Sequence, residues 1–263
     1  MSKRIPIFAA NWKMNKKRAD VAPYAETLTV TLQGMEGFSR ASAQVLVFPP
    51  AIYLELLKQD TLAANIDVGA QHTGIAESGA YTGEISAVQV ADLGLSWALV
   101  GHSERRHVFH ESDDEVAKRL KCVLEAGLKA VFCVGETIAQ RRASQTWDVL
   151  KRQMAVLQTL GGVAPDTVVV AYEPVWAIGT GETATSSQAQ EAHHRIREYL
   201  TGFFGEKAAS FRILYGGSVK PDNAAELLAQ ADVDGLLVGG ASLDARAFAE
   251  IIKNGIGSAV SKR

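Results

Sequence analysis

Cysteine is scarce in this chain: 263 residues contain two, Cys122 and Cys133, with no Cys-x-x-Cys spacing. A disulfide framework and a structural zinc site are therefore not indicated, and a reducing cytoplasm is the expected setting. Long apolar runs are missing as well. No uninterrupted stretch approaches the roughly 18 residues of a membrane helix, and Met1-Ser2-Lys3-Arg4-Ile5-Pro6 lacks the apolar core of a signal peptide. Charge of one sign is also absent, since 27 Lys and Arg stand against 29 Asp and Glu for a formal net charge of −2. The cations are scattered rather than banked, which argues against nucleic acid or anionic lipid and leaves a small molecule as the expected partner. No Pro/Ser-rich linker divides the chain, so one domain over residues 1–263 is expected, with Gly255 to Arg263 as a frayed tail.

What is present is a repeating pattern. Hydrophobic residues make up 47% of the chain, and mean hydropathy is +0.02. Short Val/Ile/Leu/Ala-rich runs recur at Ile5–Ala10, Gln44–Phe48, Ile66–Gly69, Trp97–Val100, Ala130–Val134, Val168–Tyr172, Phe211–Tyr215 and Gly235–Val238. Amphipathic segments lie between them. In Ser112–Ala126, for example, Val116, Leu120, Val123 and Leu124 share a helical face that Asp113, Asp114, Lys118 and Lys121 avoid. Strand–helix alternation demands a parallel sheet covered by helices, and eight units in about 250 residues favour a closed (β/α)8 barrel over an open doubly wound sheet.

In such a barrel, chemistry belongs at the C-terminal ends of the strands. The sixth run, Val168 to Tyr172, stops on Glu173 and is followed by Pro174 and a glycine-containing apolar segment, Val175 to Thr180, composed like a lid. Glu173 reads either as a base under that lid or as a surface carboxylate that caps a helix or pairs with an arginine. The first run ends in Asn11-Trp12-Lys13, the fourth in Gly101-His102-Ser103-Glu104 and the sixth in Glu173, so an amide, an amine, an imidazole and a carboxylate would converge on one mouth. The last two runs end in Gly216-Gly217-Ser218 and Gly239-Gly240. These glycines would let backbone amides approach an anion closely, as a phosphate cradle requires.

Other polar clusters read more plainly. His107, His110 and Glu111 have helical spacing that could hold a metal, but on so charged a segment a solvated face is the expectation and no metal is assigned. His193 and His194 are adjacent, point to different faces of a helix and are expected at the surface. Cys133, Trp97 and Phe132 are expected in the core.

The motifs Asn11-Trp12-Lys13-Met14-Asn15, Val100-Gly101-His102-Ser103-Glu104-Arg105-Arg106, Ala171 to Gly181, Tyr215-Gly216-Gly217-Ser218-Val219 and Val238 to Leu243 occur in the order seen in the triosephosphate isomerase family, which the whole chain resembles. Departures lie away from the reactive groups. His72 stands where the family more often has Asn or Asp, Tyr81 replaces a usual Phe, and Ala143-Ser144-Gln145 lacks a common glycine.

The resemblance implies a single-domain TIM barrel without a cofactor that interconverts dihydroxyacetone phosphate and glyceraldehyde 3-phosphate through an enediolate. It implies Glu173 as the base, His102 as a neutral imidazole that polarises the carbonyl, and Asn11 and Lys13 as donors to the developing oxyanion and the phosphate. Gly179, Ser218, Gly239 and Gly240 would bind phosphate, while Glu136 and Tyr215 would hold the two states of the lid. The Gln71 to Ile85 loop is too long for an ordinary connection and carries Ile75, Ala80 and Tyr81 among Gly74, Gly79 and Gly83, so it reads either as an exposed functional loop of one molecule or as a docking element; the resemblance implies that it docks on a second copy to form a homodimer, with Thr82 reaching across. Two other readings remain open: a lyase or aldolase that uses Lys13 as a Schiff base, and a catalytically silent binding barrel.

Overall fold

The apolar runs become eight parallel strands that close in chain order: β1 (Ile7–Asn11), β2 (Gln44–Phe48), β3 (Ile66–Ala70), β4 (Trp97–Val100), β5 (Lys129–Val134), β6 (Val168–Tyr172), β7 (Ile213–Tyr215) and β8 (Gly235–Val238). The structure is a computed structural model and describes residues 4–61, 64–178 and 184–260, with side chains described through residue 258. Alternation along each strand sorts the side chains. Ile7 and Ala9, Leu46 and Phe48, Val131 and Cys133, and Val169 and Ala171 fill the barrel interior. Phe8 and Ala10, Val45 and Val47, and Phe132 and Val134 face outward into the larger cluster beneath the helices. Both faces are covered, which is why these runs are continuously apolar. Full burial of each aliphatic side chain contributes about 1.5–3 kcal/mol by removal from water.

The covering helices are α1 (Arg18–Gln33), α2 (Leu54–Thr61), α3 (Ala87–Asp92), α4 (Ser103–His107), α5 (Asp113–Glu125), α6 (Ile138–Arg142), α7 (Thr146–Met154), α8 (Val156–Thr159), α9 (Ser186–Phe204), α10 (Pro221–Leu228) and α11 (Ala245–Val260). Several start where the sequence supplies an N-cap. Ser86, Ser112, Thr137 and Thr185 each accept the N–H three residues on, and Gln89, Glu115, Gln140 and Gln188 reach back to close the capping box. On α5, Val116, Leu120 and Val123 are buried as the periodicity requires. Arg119 joins them, its charge met by Glu111 at 3.0 Å.

Several details differ from the sequence reading. β1 begins at Ile7 rather than Ile5; Pro6, which lacks an N–H, contributes only its carbonyl, to Gln44 at 2.9 Å. β7 begins at Ile213 because the Phe211 carbonyl is taken by Arg197 at 3.0 Å. The expected fray at Gly255 is instead helix, as α11 runs through to Val260. A Cβ on Gly255 would overlap the Phe8 ring and the Leu228 side chain, so the glycine allows α11 to lie tightly on the barrel. Finally, His193 is fully buried. Its Nδ1 sits 3.2 Å from the Asp232 carbonyl and its ring meets Tyr172 edge-on at 5.9 Å. His194 stays mostly exposed, with a side chain 59% accessible.

Candidate active site

At the C-terminal mouth of the barrel a cavity of about 390 Å³ is lined by Asn11, Lys13, His102, Glu173, Ser218 and Gly239 among others. Five strand ends therefore deliver the residues the sequence singled out, together with Gly240, to one space. Gly179 and Thr180, the far part of the expected lid, lie outside the described residues.

Glu173 is 2% exposed, and its backbone N–H completes the barrel edge on the Val134 carbonyl at 2.8 Å. Its carboxylate accepts the Ser103 N–H at 2.9 Å and lies 3.4 Å from Ser103 Oγ. His102 caps α4. Its Nδ1 accepts the Glu104 N–H at 3.2 Å, so Nε2 bears the ring proton and faces Glu173 Oε1 at 3.0 Å. Burial alone would push the Glu173 pKa up, but the His102 ring, the Ser103 N–H and the Lys13 charge outweigh it and hold it below the ordinary 4.5. Burial pulls His102 down, and the Glu173 carboxylate reverses this for a net rise. Burial also pushes the Cys133 thiol well up, which suits a core residue.

Lys13 lies just beyond β1 in the left-handed region, φ 52°, which is costly for a side chain this long. Three contacts hold it there. Its N–H donates to Asn11 Oδ1 at 3.0 Å, its carbonyl accepts from Gln71 at 2.9 Å, and its Nζ meets Glu104 at 2.7 Å. A Cβ built on Gly239 would come within 3.3 Å of Lys13 Cε, so the ammonium stem lies against the glycine turn. The contacts that Ser103, Glu104 and Gln71 make with Glu173 and Lys13 carry no signal in the sequence. The first two sit inside the His102 motif and Gln71 opens the long loop, but only the fold shows what they hold.

In the turn Val175–Ala177, at the start of the expected lid, Trp176 Nε1 donates to Glu136 at 3.0 Å. Glu136 is fully buried, accepts the Tyr172 hydroxyl at 3.1 Å and pairs with Arg141 at 3.3 Å, while that guanidinium stacks on the Trp176 ring at 4.5 Å. Tyr215 is buried with its hydroxyl against Gly217, and burial pushes its pKa up to about 12.

His107, His110 and Glu111 do not converge. Glu111 is turned inward to Arg105 and Arg119, whereas both histidines are exposed. Among the described residues no group of three His, Cys, Asp or Glu is arranged to hold a metal.

A sequence model of triosephosphate isomerase matches residues 6–255. This chain belongs to the triosephosphate isomerase family. It is 46% identical over 252 residues to the triosephosphate isomerase of Syntrophotalea carbinolica, a match covering 95% of this chain and 98% of that one. It is 45% identical over 251 residues to that of Escherichia coli, covering 95% and 96%. The crystal structure of triosephosphate isomerase from Bartonella henselae superposes with a TM-score of 0.84 at 37% identity, over 95% of this chain and 98% of that one.

Proposed function

We propose that this protein interconverts dihydroxyacetone phosphate and D-glyceraldehyde 3-phosphate by moving a proton between neighbouring carbons through an enediolate. The observation that carries the reading is a buried carboxylate held ionised beside an imidazole, with a lysine and glycine turns on the same cavity wall. A proton next to a carbonyl is only weakly acidic, so the reaction needs a positioned base and donors aimed at the developing oxyanion. Glu173 is the base. His102 presents its Nε2–H, and Asn11 and Lys13 add a neutral and a charged donor. In the structure Glu173 rests on Ser103 and His102; reaching a substrate carbon takes it off the ring and removes the influence that raises the His102 pKa. The imidazole then acts as a neutral donor, as the Glu104 N–H on Nδ1 favours.

Gly179, Ser218, Gly239 and Gly240 would supply the phosphate with amide and hydroxyl donors. A lid built from Val175 to Thr180 would exclude water and hold the phosphate so that elimination is disfavoured. The amine of a Schiff-base enzyme is typically desolvated, whereas the Lys13 side chain is 26% exposed and ion-paired. The chain acts in the cytoplasm as a homodimer. Supporting the dimer, Met14 is 96% exposed and Tyr81 48% exposed, and the Gln71 to Ile85 loop is closed at its base by Gly74 N–H to Ile85 carbonyl at 2.7 Å. His72 adds a second tie across that base, 3.1 Å from Glu84. Among the described residues no helix is long and apolar enough to cross a membrane.

A coupled assay with glyceraldehyde 3-phosphate tests the reading; folded protein without turnover would overturn it. Borohydride added with substrate separates the lyase alternative, because only a Schiff base is trapped.

A further inference from the structure

Tyr24 lies on α1, outside every motif of the mouth, yet it is 4% exposed and its hydroxyl donates to the Ser242 carbonyl at 2.8 Å across 218 residues of chain. Ser242 lies within the short turn that follows β8, Gly240–Leu243. Its N–H donates to the Gly239 carbonyl at 2.8 Å, and its Oγ lies 2.7 Å from that carbonyl and 3.0 Å from the Val238 carbonyl. The conformation of the Gly239–Gly240 segment, which lines the cavity, is thus tied to Ser242, and Ser242 is tied to α1. The Tyr24 ring also meets Trp12 edge-on at 4.7 Å, and Trp12 sits between Asn11 and Lys13. The Lys16 ammonium lies over both rings, its Nζ 5.1 Å from the Tyr24 ring centre and 5.8 Å from that of Trp12. One side chain therefore joins the loop carrying Lys13 to the turn carrying Gly239, where a Cβ on the glycine would stand 3.3 Å from Lys13 Cε.

We propose that Tyr24 is a positioning residue for phosphate: its hydroxyl fixes the Gly239–Leu243 turn and its ring fixes that turn's distance from Lys13. This rests on the phosphate-site reading above. Without the hydroxyl, the buried Ser242 carbonyl loses a partner, and the turn relaxes away from the geometry that aims two amides at one anion. Phosphate binding weakens while the proton transfer, carried by Glu173 and His102, keeps its rate once substrate is bound.

The test is Tyr24→Phe, which keeps the ring on Trp12, with Tyr24→Leu as a second variant lacking ring and hydroxyl. Inorganic phosphate is titrated calorimetrically, and KM, kcat and melting temperature are measured alongside. For Tyr24→Phe a rise of about three- to tenfold in KM and in the phosphate Kd is expected, the scale of one lost buried hydrogen bond, with kcat within about twofold. Tyr24→Leu should show at least as large a change in Kd. A lowered melting temperature with KM and Kd unchanged would reduce Tyr24 to a core residue and overturn the inference. Unaltered protein that binds no phosphate would overturn the site reading itself, and the role of Tyr24 with it.

Discussion

Glu104 holds the ammonium of Lys13 at 2.7 Å, although 91 residues separate them in the chain. The same carboxylate approaches His102 Nδ1 at 3.7 Å, so one side chain borders two of the proposed electrophilic groups. Because the Lys13 and Glu104 side chains are 26% and 44% exposed, the pair adds little to stability. Its consequence is where the lysine points.

Glu104→Gln should therefore leave the melting temperature nearly unchanged while turnover drops about tenfold or more, since a charge displaced by an ångström stabilises the oxyanion poorly. Steady-state kinetics with thermal unfolding checks this. Equal losses in both would mean the pair is structural.

Glu173→Asp keeps the charge but withdraws the carboxylate by one methylene from a position set by the rigid end of β6. Turnover should fall on the order of a hundredfold or more with substrate affinity largely kept. Near-normal turnover would be incompatible with Glu173 as the base.

The Glu173–His102 pair makes stability depend on pH. Glu173 is held below 4.5, so its contribution is present above that value and is lost as pH falls through the depressed pKa. His102 is raised above 6.5, so its contribution is complete below that value and is lost as pH rises through the raised pKa. Both operate between 4.5 and 6.5. The melting temperature of the unaltered protein minus that of Glu173→Gln should be more positive at about pH 5.5 than at about pH 8.5, and the variant should show a lower His102 pKa by NMR. A difference independent of pH would show that the pairing moves no proton.

Removing Gly74 to Thr82 from the long loop should give a folded monomer with a small residual activity. The barrel core does not use these residues, whereas a partner's loop beside Asn11 and Lys13 would hold the first catalytic loop in place. Light scattering and the coupled assay, run on the same preparation, decide it. A fully active monomer would separate assembly from catalysis.

The barrel was legible in the residue order because a strand buried on both faces must be a continuous apolar run and a covering helix must be amphipathic; local chemistry shows both. The polar residues that gather at the mouth were legible for the same reason, since a polar side chain at or just after the end of an apolar run marks a strand end. The fray assigned to Gly255 and the surface assigned to His193 came from local composition, and tertiary packing decided both: Phe8 and Leu228 press on Gly255, and Asp232 and two tyrosines enclose His193. The partners of the reactive groups were invisible in the chain for a related physical reason. A hydrogen bond acts over about 3 Å of space and carries no signature in sequence separation. Closing the barrel brings Ser103 to Glu173, Glu104 to Lys13 and Tyr24 to Ser242; the residue types were written in the sequence, and only the fold could set their distances.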